Sequence, residues 1–159
     1  MALFLSTYIN RVDKKGRVSF PASFRAALMG QPVTDQAFQG VVLFRSNTHD
    51  ALEGFSMSRM EELSQRIDNF DMFSPEQDDM ATAIFAESVA LSIDGDGRII
   101  LPQDLLDFAG ITEQAAFVGM GPKFQIWEPS RLEARKKQAC DSVAKQKMTL
   151  PNPRSKGGE

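Results

Sequence analysis

A ten-residue segment occurs twice in this chain at a constant offset of 81 residues. Val12-Asp13-Lys14-Lys15-Gly16-Arg17-Val18-Ser19-Phe20-Pro21 is matched by Ile93-Asp94-Gly95-Asp96-Gly97-Arg98-Ile99-Ile100-Leu101-Pro102. Asp, Gly, Arg and Pro are identical at matching places, and the apolar positions exchange like for like. Self-similarity of this kind means that one small supersecondary unit is built twice. The pattern extends beyond the segment. Helical runs follow at 22–29 and 103–109, then a turn region, then Val41-Val42-Leu43-Phe44 in the first copy and Ala116-Phe117-Val118 in the second. A further strand ends in Phe55 or Trp127, and a longer helix begins at Met57 or Pro129, where the offset has fallen to 72. The copies are therefore placed at 7–54 and 83–130, joined by a helical bridge at 55–82 and followed by a C-terminal helix and basic tail at 131–159. β-rich units separated by helices make an α+β chain.

The helix boundaries rest on local chemistry. Pro21, Pro102 and Pro129 suit a first helical turn, where a fixed φ and a missing N–H do no harm. Ser58 with Glu61 has the spacing of a capping box, and Ser74-Pro75-Glu76-Gln77 that of a cap, a first-turn Pro and an N3 Gln. Bridging helices are expected at about 58–70 and 75–86. Each Asp-x-x-x-Arg core lies between strand-like runs, 4–12 and 17–20 in the first copy, 87–93 and 98–101 in the second. Gly16 and Gly97, just before the arginines, supply the positive φ of a tight β connection. That connection would present its side chains at the edge of a small sheet.

Composition narrows the function. At 159 residues and 42% hydrophobic content the chain can bury a sizeable core. No run approaches the roughly 20 apolar residues of a membrane span, and the start lacks a basic leader, so a soluble, cytoplasmic protein without a membrane partner is expected. The one cysteine, Cys140, cannot build a disulfide or a Cys-based metal site within a chain, and the one histidine, His49, has no second ligand beside it. The net charge of −3 is unevenly spread. Residues 1–29 carry net +4 and residues 131–159 net +5, whereas 30–130 carry net −12. Charges beyond a Debye length of about 8 Å are largely screened, so the acidic total does not exclude a nucleic-acid partner for the basic ends.

The repeated motif is where binding chemistry concentrates. Asp13 and Asp94 are placed to pair with Arg17 and Arg98 and, with Gly16 and Gly97, to structure the loops. An arginine oriented by a carboxylate remains a planar five-donor group able to reach phosphate or guanine O6/N7. Arg11, Lys14 and Lys15 crowd around Arg17, whereas the neighbours of Arg98 are Asp94 and Asp96. Asp94-Gly95-Asp96-Gly97 resembles the start of a calcium loop, but the ligand, Gly and carboxylate positions that should follow are Arg98, Ile99 and Leu105. No metal and no cofactor are expected. Nucleophile elbows, phosphate loops and zincin motifs are absent from the sequence, and Asp68, Asp71, Glu76, Asp78 and Asp79 fall around a helix junction as solvated face and caps, so no enzyme activity is expected.

These residues, together with Phe117-Val118-Gly119-Met120-Gly121 leading to Phe124-Gln125-Ile126-Trp127, resemble the MraZ family of bacterial transcriptional regulators, built from two tandem AbrB-like (SpoVT/AbrB) modules. The resemblance covers about residues 4–135. It implies a swapped-hairpin β architecture, a ring-like homo-oligomer, and binding to short direct repeats of double-stranded DNA in the promoter ahead of the division and cell-wall genes, hence a nucleoid location. It makes Arg17 and Lys15 the primary DNA-facing residues, with Lys14 beside them and Arg98 in the second copy. The second loop has Gly95 and Asp96 where the first has Lys14 and Lys15, so unequal copies are expected, the first loop the main reader and the second partly or mainly architectural. Alternatives are an AbrB-fold antitoxin and a ring-forming scaffold with no specific DNA site.

Overall fold

β-branched and aromatic residues alternate with polar ones in short runs, and in the computed structural model these runs form strands that pair mostly across the repeat rather than within it. The structure describes residues 3–29 and 40–151. The first copy contributes β1 (Thr7–Arg11), β2 (Arg17–Ser19), α1 (Ala22–Met29), β3 (Gly40–Arg45) and β4 (Leu52–Phe55). The second contributes β5 (Val89–Ser92), β6 (Arg98–Ile100), α4 (Gln103–Ala109), β7 (Gln114–Gly119) and β8 (Phe124–Trp127). Between them lie α2 (Met57–Asp68) and α3 (Pro75–Ala81), the latter running into a π-helical turn, Thr82–Ala86. The turn region at 30–39 and the tail beyond 151 lie outside the described residues.

Six strands form one antiparallel sheet in the order β1-β7-β8-β4-β3-β5. Exchanging each strand for its counterpart in the other copy reverses this order and leaves it unchanged, so the sheet has an internal two-fold pattern. Each copy lends its first strand to the other copy's hairpin: β1 pairs with β7, β5 pairs with β3, and β4 meets β8 at the centre. The motif strands β2 and β6 leave this sheet and form a separate two-stranded ribbon. This is the swapped-hairpin α+β architecture that the resemblance implies.

The strands flanking each Asp-x-x-x-Arg core do not form a hairpin. In the first copy the bridge Val12–Val18 and the bond from Asp13 N to Arg17 O close the turn, after which β1 and β2 diverge to partners in the other copy. The tight turn is local, but the pairing that pays off in buried surface is long-range.

The sheet is covered on both faces. On one, Val41, Leu43, Leu52, Phe117, Phe124 and Ile126 meet Val18, Ile99, Phe20, Phe24 and Leu105 of the ribbon and the short helices. Phe20, Phe24 and Phe124 have ring centroids 5.4–5.9 Å apart, mostly edge to face, the arrangement the aromatic quadrupole favours. On the other face Val42, Phe44 and Phe55 pack with Met60, Ile67 and Ile84 of the bridge. Glu53 on this strand system is buried but satisfied, since Gln125 directly opposite donates to it at 2.6 Å and Lys123 at 2.5 Å. A buried carboxylate without such partners would carry a heavy desolvation cost.

The caps refine the helix boundaries. Ser56, not Ser58, caps α2, its hydroxyl accepting from the Arg59 amide at 3.1 Å, because the helix starts two residues earlier than the Ser58/Glu61 spacing suggests. Ser74 caps α3 by accepting from the Gln77 amide at 3.2 Å, as its spacing indicated. Pro21 and Pro102 sit one position before their helices, their carbonyls accepting the first helical N–H groups. Pro129 opens α5 (Pro129–Gln146), which belongs to a second compact unit beginning at Ser130. Cys140 on this helix is exposed and free. No helix among the described residues is long and apolar enough to cross a membrane.

Candidate nucleic-acid interface

The loop before β2 is tied by its aspartate. Asp13 Oδ1 accepts from the Lys15 and Arg17 amides, each at 2.9 Å, and Oδ2 accepts from Arg17 Nε at 2.7 Å. The amide of Arg17, then its side chain and the Lys15 amide, hold the Asp13 carboxyl below its usual range against a partial desolvation cost. The backbone closes alongside: Asp13 N donates to Arg17 O at 3.0 Å and Gly16 N to Asp13 O at 3.0 Å. Gly16 takes φ +83°, and a Cβ there would stand 2.5 Å from the Leu101 carbonyl oxygen, so the position admits only glycine without displacement of backbone.

The second loop repeats the backbone and departs in its side chains. Asp94 Oδ1 accepts from the Asp96 and Arg98 amides at 2.9 Å, and the Arg98 amide is the main reason its carboxyl is also held low. Arg98 Nε is 3.7 Å from Asp94 Oδ2, a looser pair than in the first loop, while its Nη2 donates to Asp96 at 3.1 Å. Arg98 is thus shared between two carboxylates. Lys14 and Lys15 are exposed and have no ion-pair partner among the described residues.

The two loops are locked to each other. Leu101 N donates to Gly16 O at 2.8 Å, and Phe20 N donates to Gly97 O at 2.9 Å, the same bond made twice at the repeat offset. In the ribbon between them Arg17 lies opposite Ile100, Val18 opposite Ile99 and Ser19 opposite Arg98. Val18 and Ile99 point into the core, almost fully buried. Strand alternation therefore turns Arg17, Ser19, Arg98 and Ile100 to the outer face. The guanidinium-bearing side chains of Arg17 and Arg98 are 39% and 36% exposed there, enough to meet a ligand while held by carboxylates. The ribbon brings together, on one face, two arginines that lie 81 residues apart. Arg11 is also exposed, at the end of β1, where it pairs in register with Gln114 rather than with the ribbon.

Two further residues complete this face and a third, Arg25, lies beside the second loop, and the motif alone did not single them out. Ser19 and Ile100 become visible only once the register is known. Arg25, on α1, lies with its guanidinium against Gly97, and its Nε is buried with no hydrogen-bond partner among the described residues. It brings a cation to the loop that lacks lysines. The signal for it was a break in the repeat, since the position 81 residues later is Leu106, a buried core residue.

Comparison with known proteins agrees with this geometry. A family model described as "MraZ protein, putative antitoxin-like" matches residues 84–150. A protein of Rickettsia akari named Transcriptional regulator MraZ is 46% identical over 152 residues, covering 96% of this chain and 99% of its own. The chain belongs to the MraZ family. Relatives of the same name from Rickettsia felis, 45% identical over 152 residues, and Gluconacetobacter diazotrophicus, 45% identical over 139 residues, span 99% and 87% of their own lengths. The family likeness therefore runs through both copies and the bridge.

Proposed function

We propose that the chain is a sequence-specific DNA-binding transcriptional regulator, reading short direct repeats in the promoter of the division and cell-wall gene cluster as a ring-like homo-oligomer. The observation that carries this reading is the outer face of the ribbon, where Arg17 and Arg98 lie diagonally across the double strand on the same side, with Lys14 and Lys15 in the loop before it. A two-stranded ribbon fits the major groove, and a planar guanidinium oriented by a carboxylate is matched to guanine O6/N7. Lys14, Lys15, Arg11 and Arg25 supply the phosphate contacts that position a protein without reading sequence.

One such face is small. Several faces at fixed spacing in a ring raise the effective concentration of each after the first docks, which favours tandem repeats over isolated ones. Each neutralised phosphate adds about −0.9 to the slope of log affinity against log salt, so steep salt dependence belongs to the same reading. The names borne by the relatives support transcriptional regulation.

The test is fluorescence anisotropy of the full-length protein on the promoter repeats. Arg17→Ala is expected to weaken binding at least about fivefold, as loss of a bidentate base contact worth about 1–3 kcal/mol requires, and Lys15→Ala to lower the salt slope by about one. Equal affinities of parent and Arg17→Ala at matched salt would remove Arg17 from the interface.

A further inference from the structure

The face assigned above to DNA contains one side chain that electrostatics does not account for. Ile100 is 57% exposed, although its neighbours Ile99 and Leu101 are almost fully buried. It stands on the outer face of the ribbon directly opposite Arg17. Its counterpart in the first copy is Ser19, which stands opposite Arg98. The repeat is otherwise conservative at its apolar positions, so the face carries an exposed aliphatic group at one of two equivalent places and a hydroxyl at the other. An isolated exposed aliphatic residue needs no explanation in itself. Its position on the double strand, among polar and cationic groups and abreast of an arginine, is what gives it meaning.

We infer that Ile100 is a base-reading residue, seated on the C5-methyl group of a thymine in the major groove; the inference rests on the DNA reading above. The methyl of thymine is the apolar feature among the base edges of the major groove, whose other groups are hydrogen-bond donors and acceptors. An isoleucine side chain can satisfy none of those donors and acceptors and fits against that methyl. Directly opposite residues on an antiparallel ribbon have Cβ atoms about 4.5–5.5 Å apart, comparable with the rise of about 3.4 Å between base pairs. Arg17 and Ile100 therefore address neighbouring base pairs, one by hydrogen bonds and one by apolar contact. Arg98 and Ser19 address the other side of the ribbon, where the hydroxyl accepts either kind of base. The face reads its target asymmetrically, which suits direct repeats better than palindromes.

The experiment begins with selection of binding duplexes from a random pool by the full-length protein. The selected duplex is then remade with each thymine in turn replaced by deoxyuridine, which removes the methyl and keeps the pairing. One position is expected to weaken the parent protein about fourfold, the worth of one buried methyl-sized group. Ile100→Ala and Ile100→Ser are expected to bind the thymine and deoxyuridine duplexes equally, with the oligomeric state of the parent in light scattering. Equal binding of the parent at every replaced position, or an unchanged uridine penalty in Ile100→Ala, overturns the thymine contact while leaving the DNA reading intact. A change of oligomeric state in both Ile100 variants makes the residue a contact between copies of this chain and overturns it too. Failure of the pool to enrich any sequence removes the DNA reading itself, and the thymine contact with it.

Discussion

Both motif aspartates accept two backbone amides through one oxygen, so the shape of each loop depends on an ionised carboxylate. Those amide hydrogen bonds hold both carboxyls below the ordinary carboxylate range. A depressed carboxyl contributes stability that is present above the unfolded pKa and is lost as pH falls through the folded one. Loop order is therefore expected to hold at neutral pH and to decay only below about pH 4, which a carbonyl-carbon NMR titration of Asp13 and Asp94 would follow; midpoints above 4 would contradict it. The glycines give a sharper contrast. Gly16→Ala forces an L side chain to φ +83° and onto the Leu101 carbonyl, and is expected to cost about 1–3 kcal/mol in urea denaturation. Gly95→Ala in the other loop meets nothing within 4 Å and is expected to change stability by less than about 0.5 kcal/mol. Equal effects would mean that the loops do not hold their conformation in solution.

Elements form where local signals agree, and their partners are decided elsewhere. The cap of α2 illustrates the first half: Ser56→Ala removes the acceptor of the Arg59 amide and is expected to cost about 1 kcal/mol in thermal denaturation, with α2 loosening from Val42, Phe44 and Phe55. Two serines stand two residues apart, at 56 and 58, and only the chain's entry direction selects between them. That is why the sequence pattern placed the helix correctly and its cap wrongly. The short helices at 22–29 and 103–109 were legible because a proline precedes each, and the second ends on Gly110 in the left-handed region. The ribbon was not. Val18 and Ile99 carry the same alternation whether β2 pairs with β1 or with β6, and nothing local distinguishes the two registers. Arg17 and Arg98 could each be named from the motif, but their common face, and with it Ser19 and Ile100, exists only through pairing across 81 residues. Arg25 was hidden for the related reason that its partner, Gly97, lies in the other copy.

The duplication explains the whole first unit more fully than either copy does. Neither copy holds its own first strand, since β1 completes the β7–β8 hairpin and β5 completes the β3–β4 hairpin. Neither holds its own motif strand in a ladder, since β2 and β6 pair with each other across the repeat. A single copy would expose the unpaired edge of its hairpin and the apolar face of its motif strand, a burial of about 1.5–3 kcal/mol lost for each of Val18 and Ile99. Two identical copies would meet the same need by dimerising about a true two-fold axis, with the last strand of each at the centre where β4 now meets β8. The tandem chain keeps that arrangement while letting the halves diverge, so that one loop carries Lys14 and Lys15 and the other Gly95 and Asp96. From this it follows that residues 83–130 expressed alone should not be a folded monomer. The expected state is a homodimer, or an unfolded chain that gains strand structure when mixed with residues 1–82, read by sedimentation equilibrium and far-ultraviolet circular dichroism. A folded monomer of residues 83–130 would show that the exchange of first strands is dispensable, and that each hairpin can close its edge without the other copy.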